Sequence, residues 1–294
     1  MNKLRSNINY LLLSASKWTT AVFAFIGLLG TFCSFDSIFD GWKWYSKLAI
    51  SAGILFGIWC LCLTINAIVF YRKKWVEVLD AGNNNHVYVQ YGDIFSPSEV
   101  EDPEKRRNIV VPVNCCFDTI VDDDIISSKS LHGIAFKRLY SNDVYSVETL
   151  NDLIQKDIKN RQNIQPLIID SKLKRAGNLE RFPIGTVAEI SVSEQEVYFL
   201  LALSTFNHDL QAETSNEDYV AATMKLIEYC NARSQGYPVL IPLIGAGLSR
   251  TAKDEREILR YLVSLLRLNK QQISCDVHIV IRENGKKSIS ITDL

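Results

Sequence analysis

Two stretches without a single Asp, Glu, Lys or Arg, residues 18–35 and 48–71, constrain this chain more than any other feature. A helix rises about 1.5 Å per residue and the hydrocarbon core of a bilayer is about 30 Å thick, so roughly 20 apolar residues cross it. The second stretch exceeds that length and the first meets it at the short end. Between them, residues 36–47 form a polar loop carrying Trp42, Trp44 and Tyr45, aromatics of the kind that settle at a membrane interface. A transmembrane helical hairpin over residues 18–71 is expected. A cleaved signal peptide is the alternative for the first stretch, but its apolar run is longer than a usual signal core and no small-x-small site or lipobox precedes Cys33. For the second stretch the alternative is a buried soluble helix, which its length and basic flanks oppose.

Orientation follows from the positive charges. Lys3, Arg5 and Lys17 precede the hairpin, Arg72, Lys73 and Lys74 follow it, and only Lys43 and Lys47 lie in the loop. Basic residues stay on the cytoplasmic side. Both termini are therefore expected in the cytoplasm, with residues 1–17 as an N-terminal cytoplasmic segment of a multi-pass inner-membrane protein. Gly53 and Gly57 form a small-xxx-small pair and are the candidate association face, while Ser51, Thr64 and Asn66 suit hydrogen bonds between helices or a lined pathway.

The whole chain balances 32 Lys+Arg against 33 Asp+Glu, a formal net charge of −1. That argues against a domain that holds nucleic acid through a basic face. Seven cysteines show no CxxC pair, which indicates neither a zinc site nor a disulfide framework and suits a reduced, cytosolic compartment.

Residues 72–85 read as neck and linker. Trp75 to Leu79 extends the second helix, and the turn-forming run from Asp80 to Asn85 ends it, so a soluble domain of residues 86–294 begins near His86. Alternating or β-branched runs predict strands over 86–91, 108–113, 185–190, 197–203, 239–243 and 277–282. Helices are expected over 147–159, capped by Ser146, over 218–233 with Tyr219, Val220, Thr223, Met224, Ile227 and Cys230 inward, and over 253–268. Strands alternating with helices imply a three-layer α/β/α domain on a mixed sheet. Residues 161–181 are the least periodic, with Lys172, Lys174 and Arg175 clustered. They read as a solvated basic surface or as a contact for lipid head groups or a neighbouring subunit.

The strongest local motif runs from Ile241 through Gly245, Ala246, Gly247, Leu248, Ser249 and Arg250, a buried strand entering a glycine turn that opens a helix. Backbone amides in such a turn surround a phosphate, and the helix N-terminus adds a favourable dipole. A tight turn with no ligand is the plainer reading. Three other segments join it: Asp93 and Ile94 follow the first strand, Asn114 ends the next, and Ser130, Leu131, His132 and Gly133 open a helix. In an open α/β sheet, loops at strand ends converge on one crevice.

These motifs, in this order, resemble the macro domain, an ADP-ribose-binding fold. Its pattern places GDI after the first strand, NAAN at the end of the second, a glycine-rich loop before a helix, a P-x-G turn, matched here by Arg181 to Thr186, and a late strand leading to a GxG-type loop. The resemblance spans roughly residues 86–283. It implies that Asp93 accepts from the adenine amino group with Ile94 beside it and that Asn114 faces the distal ribose. The loops 130–133 and 245–249 would grip the diphosphate, with charge added by Arg250 and the terminal end reached by Phe206 and Asn207. Val111 and the Ser130-Leu131-His132 run depart from the pattern of the hydrolytic members, which favours binding over hydrolysis.

His132 reads as an oriented loop histidine, a ligand contact or, least of all, a base. Cys115 and Cys116 read as small buried thiols rather than nucleophiles. Asp122, Asp123 and Asp124 lack calcium-loop spacing and read as a capping run. No catalytic set, metal cluster or cofactor is expected.

A two-span hairpin followed by such a domain looks like the transmembrane macro effectors of the Thoeris antiphage systems. That resemblance implies a TIR-domain partner that converts NAD into an ADP-ribose conjugate, with histidine-ADP-ribose the kind of ligand expected. Ligand binding, homo-oligomerisation, disruption of membrane lipid and abortive infection would follow. The alternatives are a membrane-anchored ADP-ribosyl hydrolase and a passive ADP-ribose-binding anchor.

Overall fold

The structure, a computed structural model, describes residues 2–30, 41–141, 144–245 and 254–294. It divides into two compact units, residues 1–74 with 286–293, and residues 75–285 with Leu294.

The first unit is helical: α1 (Asn2–Ser6), α2 (Ile8–Gly30) and α3 (Trp44–Arg72). Both α2, of 23 residues, and α3, of 29, are long and apolar enough to cross a membrane. The apolar helix begins at Ile8, well before the predicted start at Trp18. Leu11, Ala15 and Thr19 are buried at a spacing of four, so one continuous stripe runs through the segment expected to precede the span. Residues 31–35, the predicted end of that span, lie outside the described residues. Trp59 Nε1 donates to Ser16 Oγ at 3.3 Å, tying α3 to α2. A Cβ placed on Gly53 or Gly57 would meet nothing within 4 Å, so this pair lies on an open face of α3 within the single chain.

Asn7, fully buried, holds the chain's last residues to its first. Its Oδ1 accepts from Ser290 Oγ at 2.9 Å, Ile291 N at 2.9 Å and Thr292 Oγ1 at 3.0 Å, and its Nδ2 donates to the Lys3 carbonyl at 2.8 Å.

The second unit begins with a strand where a helical neck was expected. Helix α3 stops at Arg72, with Lys73 already extended. Strand β1 (Trp75–Gly82) then pairs antiparallel with β2 (Asn85–Tyr91). Between them Asn83 and Asn84 both have positive φ, 51° and 61°. This two-residue turn of the primed kind suits the twist of a hairpin, and Asn tolerates it. The run from Asp80 to Asn85 is thus the tip of a β-hairpin, turning at Asn83 and Asn84, and the second unit starts at Trp75 rather than near His86.

The remaining strands are β3 (Arg107–Asn114), β4 (Leu167–Ile168), β5 (Glu180–Arg181), β6 (Val187–Ser191), β7 (Glu196–Phe206), β8 (Ala212–Glu213), β9 (Val239–Pro242) and β10 (Val277–Ile281). The main sheet runs β1-β2-β10-β9-β3-β7-β6, with β8 paired to β7. Strands β2, β10, β9, β3 and β7 are mutually parallel, while β1, β6 and β8 are antiparallel. The sheet is mixed, as expected.

Alternate residues of each central strand serve opposite layers. Ile109, Val111, Tyr198, Leu200 and Ala202 pack with Phe136 and Leu139 of α4 (Leu131–Ser141) and with Leu150 and Ile154 of α5 (Val147–Lys156). On the other face Phe199 meets Tyr229 of α6 (Asn216–Arg233), their rings 5.4 Å apart. Helix α6 packs against α7 (Glu255–Leu268). The three-layer α/β/α arrangement follows.

Ser146 caps α5 through Thr149 N in a reciprocal capping box. In α6, Tyr219, Thr223, Ile227 and Cys230 face inward as expected, but Val220 and Met224 are 42% and 38% exposed. Ala222 and Leu226 take those places, because the buried stripe follows steps of three and four from Tyr219.

Candidate functional site

Parallel strands end on the same edge of a sheet. The C-terminal ends of β2, β9, β3 and β7 therefore share one edge, and the segments carrying Asp93, Gly245, Asn114 and Phe206 follow or terminate those strands. At about 4.8 Å per strand, β2 and β3 lie about 14 Å apart and β2 and β7 about 19 Å.

After β2, the Gly92 amide donates to the Ile281 carbonyl at 2.8 Å. Asp93 is exposed; its Oδ1 accepts from Phe95 N at 3.1 Å and its carbonyl from Ser96 N at 2.8 Å. Ile94 turns into the core. One carboxylate oxygen of Asp93 thus shapes its own loop while the side chain stays open to solvent.

At the end of β3 the pairing with β7 shifts register between Val113 and Asn114, and the Cys115 amide donates to the Ser204 carbonyl at 2.8 Å. A bulge of this kind re-aims a side chain. Asn114 is 3% exposed, and its Oδ1 accepts from Cys116 N at 2.9 Å. Its Nδ2 is near enough to help hold the Asp118 charge but makes no hydrogen bond of normal geometry. Asn114 is thus buried at the end of β3, its side chain turned between the Cys116 amide and the Asp118 carboxylate.

Ser130 closes the first turn of α4. Its hydroxyl donates to the Ser127 carbonyl at 2.7 Å and accepts from Gly133 N at 2.9 Å. A Cβ on Gly133 would stand 2.2 Å from the Ser127 carbonyl oxygen, so only glycine fits there. Leu131 packs partly buried against the core. His132 is 7% exposed, its ring edge-on to Phe136 with centroids 4.4 Å apart. Burial pushes its imidazole down to about 3, opposed by the Asp118 backbone. A neutral, packed ring is what this loop holds at neutral pH.

The aspartates upstream cap turns. Asp122 Oδ1 accepts from the Asp124 and Ile125 amides at 2.9 and 2.8 Å, and Asp123 Oδ1 from the Ser128 amide at 2.6 Å. Among the described residues no group of three or more His, Cys, Asp or Glu could hold a metal. Burial pushes the Cys115 thiol up to about 12 and raises that of Cys116 as well. Neither is a ready thiolate at neutral pH.

Gly245 follows β9, buried, with φ of 89°. Ala246, Gly247, Leu248, Ser249 and Arg250 lie outside the described residues. Phe206 ends β7 against the core. Asn207 is occupied with its own turn: Oδ1 accepts from the Asp209 and Gln211 amides at 3.0 Å each, and Nδ2 donates to Glu213 at 2.8 Å.

Sequence reasoning missed Asp118 and misplaced Lys174. Lys174, read as part of a basic surface, has no solvent exposure; its Nζ lies 2.7 Å from Asp118 Oδ2, 2.9 Å from Oδ1 and 2.7 Å from the Asn178 carbonyl. Burial pushes the Asp118 carboxyl up, while Lys174 and the Asn178 amide pull it back. Nothing in the spacing of residues 172–175 distinguishes the buried lysine from its exposed neighbours.

A separate cleft of about 560 Å³ is lined by Tyr145, Lys156, Asp157, Arg161, Glu189 and Ser191; Ser191 pairs with Val197 at the N-terminal end of β7, opposite the edge where the parallel strands end. Within it Arg161 bonds Asp157, and Glu189 is bonded by Arg233, which stands outside the lining.

Residues 87–282 match the family model described as Thoeris protein ThsA, Macro domain. The Thoeris protein ThsA of Bacillus amyloliquefaciens (strain Y2) is 26% identical over 242 residues, 80% of this chain and 75% of the relative. Among solved structures, the Oceanobacillus iheyensis macrodomain with ADP aligns at a TM-score of 0.47 and 15% identity, covering 74% of this chain and 93% of that one. The same macrodomain with MES bound aligns at 0.44 and 15%, covering 73% and 92%.

Proposed function

The chain belongs to the Thoeris ThsA macro-domain family, and from that premise we propose that it is an antiphage defence effector whose α/β domain binds an ADP-ribose-derived signal. The signal comes from a TIR-domain partner that consumes NAD, and histidine-ADP-ribose is the conjugate we favour. Ligand binding drives self-association, and the two apolar helices carry the response into the inner membrane, with both termini cytoplasmic.

The order of loops along one sheet edge carries this reading. From β2 to β9 to β3 to β7, the edge presents a carboxylate, a glycine turn, a buried amide and an aromatic strand end. A base, a diphosphate and a ribose laid end to end match that order. Asp93 and Ile94 would take the adenine, Gly245 to Arg250 and Ser130 to Gly133 the diphosphate, Asn114 the distal ribose, and Phe206 the terminal group. Backbone amides do most of the phosphate binding in such a site, which fits a chain of net charge −1.

Binding without turnover is favoured because the groups nearest the β3 turn are poor catalysts at neutral pH. Burial raises both thiols and depresses His132. For ligand to produce a response it must prefer one arrangement of the chain over another. Association through the open Gly53 and Gly57 face supplies such an arrangement.

Liposomes containing the full chain test the reading. Leakage is expected only when an ADP-ribose conjugate is added, and Asn114→Ala is expected to abolish it. Leakage without ligand, or indifference to the substitution, would overturn the proposal. Product release from an ADP-ribosylated substrate would favour the hydrolase instead.

A further inference from the structure

Behind the Gly92 turn lies a buried polar chain that the ligand assignment does not use. Gln90, fully buried in β2, donates from Nε2 to Glu99 Oε2 at 2.7 Å and to the Glu99 carbonyl at 2.8 Å. Its Oε1 lies 2.9 Å from His278 Nδ1 in β10. An amide oxygen only accepts, so that ring nitrogen carries a proton. Glu99 and His278 are 4% and 2% exposed. Polar groups this deep carry a desolvation penalty that only such pairing offsets.

The Glu99 carboxyl group lies against Gly92. A Cβ on Gly92 would stand 2.4 Å from Glu99 Cδ and Oε2 and 2.5 Å from Oε1. On its other side the Gly92 amide is bonded to the Ile281 carbonyl. The turn is thus pinned between a buried carboxyl and the end of β10, and the next residue is Asp93. A short 3-10 turn, Pro97–Glu99, returns the chain to that carboxyl.

We propose that Glu99 is a positioning residue for recognition of the ligand's base. It touches no ligand; its carboxyl group, oriented by Gln90 and His278, seats the Gly92 turn and so sets the direction in which Asp93 is offered. The base so read is a purine with an exocyclic amine. This inference rests on the adenine contact proposed for Asp93.

The test uses the full chain in detergent, with ADP-ribose and etheno-ADP-ribose, whose exocyclic amine is closed into a ring and donates no hydrogen bond. Glu99→Ala is expected to weaken ADP-ribose binding about tenfold while changing the etheno analogue by less than about twofold. Glu99→Gln, which keeps a planar polar group beside Gln90, is expected to retain most of the preference. Gly92→Ala should lose as much as Glu99→Ala, and the double variant no more than either, because removing the carboxyl makes room for the new methyl. In ligand-free protein, amide exchange at Phe95 and Ser96 should quicken in Glu99→Ala while the β2 and β10 amides keep their protection. Unchanged exchange at those amides, equal losses for both nucleotides, or simply additive losses would each overturn the positioning role. Failure of the unaltered chain to bind either nucleotide, with exchange altered as expected, would sink the ADP-ribose reading and the base role while leaving Glu99 as the seat of the turn.

Discussion

Lys174 and Asp118 form an ion pair with 0% and 1% of their side chains open to solvent, Nζ standing 2.7 Å from Oδ2. Around it, Asn178 donates its backbone amide to Asp118 Oδ1 at 2.6 Å and its side chain to Asn151 Oδ1 at 2.8 Å and the Cys116 carbonyl at 3.2 Å. The irregular segment before β5 is therefore fastened to the turn after β3, the turn that also presents Asn114.

Breaking this pair from one side leaves a buried charge. Lys174→Met is expected to cost about 3–5 kcal/mol, and Lys174→Met with Asp118→Leu to recover much of that loss. Thermal unfolding of the single and double variants checks it. A single variant melting within a degree or so of the unaltered chain would show that the pair holds nothing in place.

His132 gives the domain an acid-side dependence. Its folded value is depressed to about 3, against about 6.5 for an unfolded histidine. The stability this contributes is complete above the unfolded value. Below it the unfolded chain takes up a proton that the folded chain refuses, and stability is lost progressively as pH falls towards the folded value. By about pH 5 the loss from this residue approaches about 2 kcal/mol. His132→Gln should flatten the decline between neutrality and pH 5, and an equally steep decline in that variant would count against it.

Gly133 stands where α4 meets the Ser127 carbonyl. Gly133→Ala must displace that carbonyl or the first turn of α4, at a cost of about 1–3 kcal/mol typical of overpacking. Ser130→Ala, which removes only the cap, should cost about 1 kcal/mol. Ligand titration beside denaturation would show Gly133→Ala losing more affinity than Ser130→Ala; the reverse order would mean that the loop's position is not set by this contact.

Asn7 is the anchor for residues 290–292. Asn7→Ala removes the acceptor for three donors, among them the buried Ile291 amide. The C-terminal residues should then become open to carboxypeptidase while the α/β domain keeps its melting behaviour. Equal resistance in both proteins would place the anchoring elsewhere.

Periodicity made most elements legible. Strands β3, β9 and β10 are rich in β-branched residues, β7 is a continuous apolar run, and α7 carries its apolar residues on one stripe, so local pattern alone located them within a few residues. Strand β1 was hidden because Trp75 to Leu79 reads equally as the end of an apolar helix. Only its pairing with β2, with bulges between Glu77 and Leu79 and between Asp80 and Gly82, distinguishes the two. Val220 and Met224 show the same ambiguity in a helix: apolar residues one step off the stripe cannot be told from core residues until α7 is packed alongside.

The sequence by itself determined the two apolar helices, the alternation of strands and helices, and the segments that carry Asp93, Asn114, Gly133 and Gly245. Those signals are local, written in residues that neighbour one another along the chain. Tertiary structure alone decided that the segments of Asp93, Asn114 and Gly245 share one sheet edge, that Lys174 is buried and that Asn7 receives the far end of the chain. The partners concerned lie 56 residues apart for Lys174 and Asp118, and 283 for Asn7 and Ser290. Whether a polar side chain is solvated or satisfied by such a partner is a property of packing, because its free energy depends on which groups replace the water it gives up.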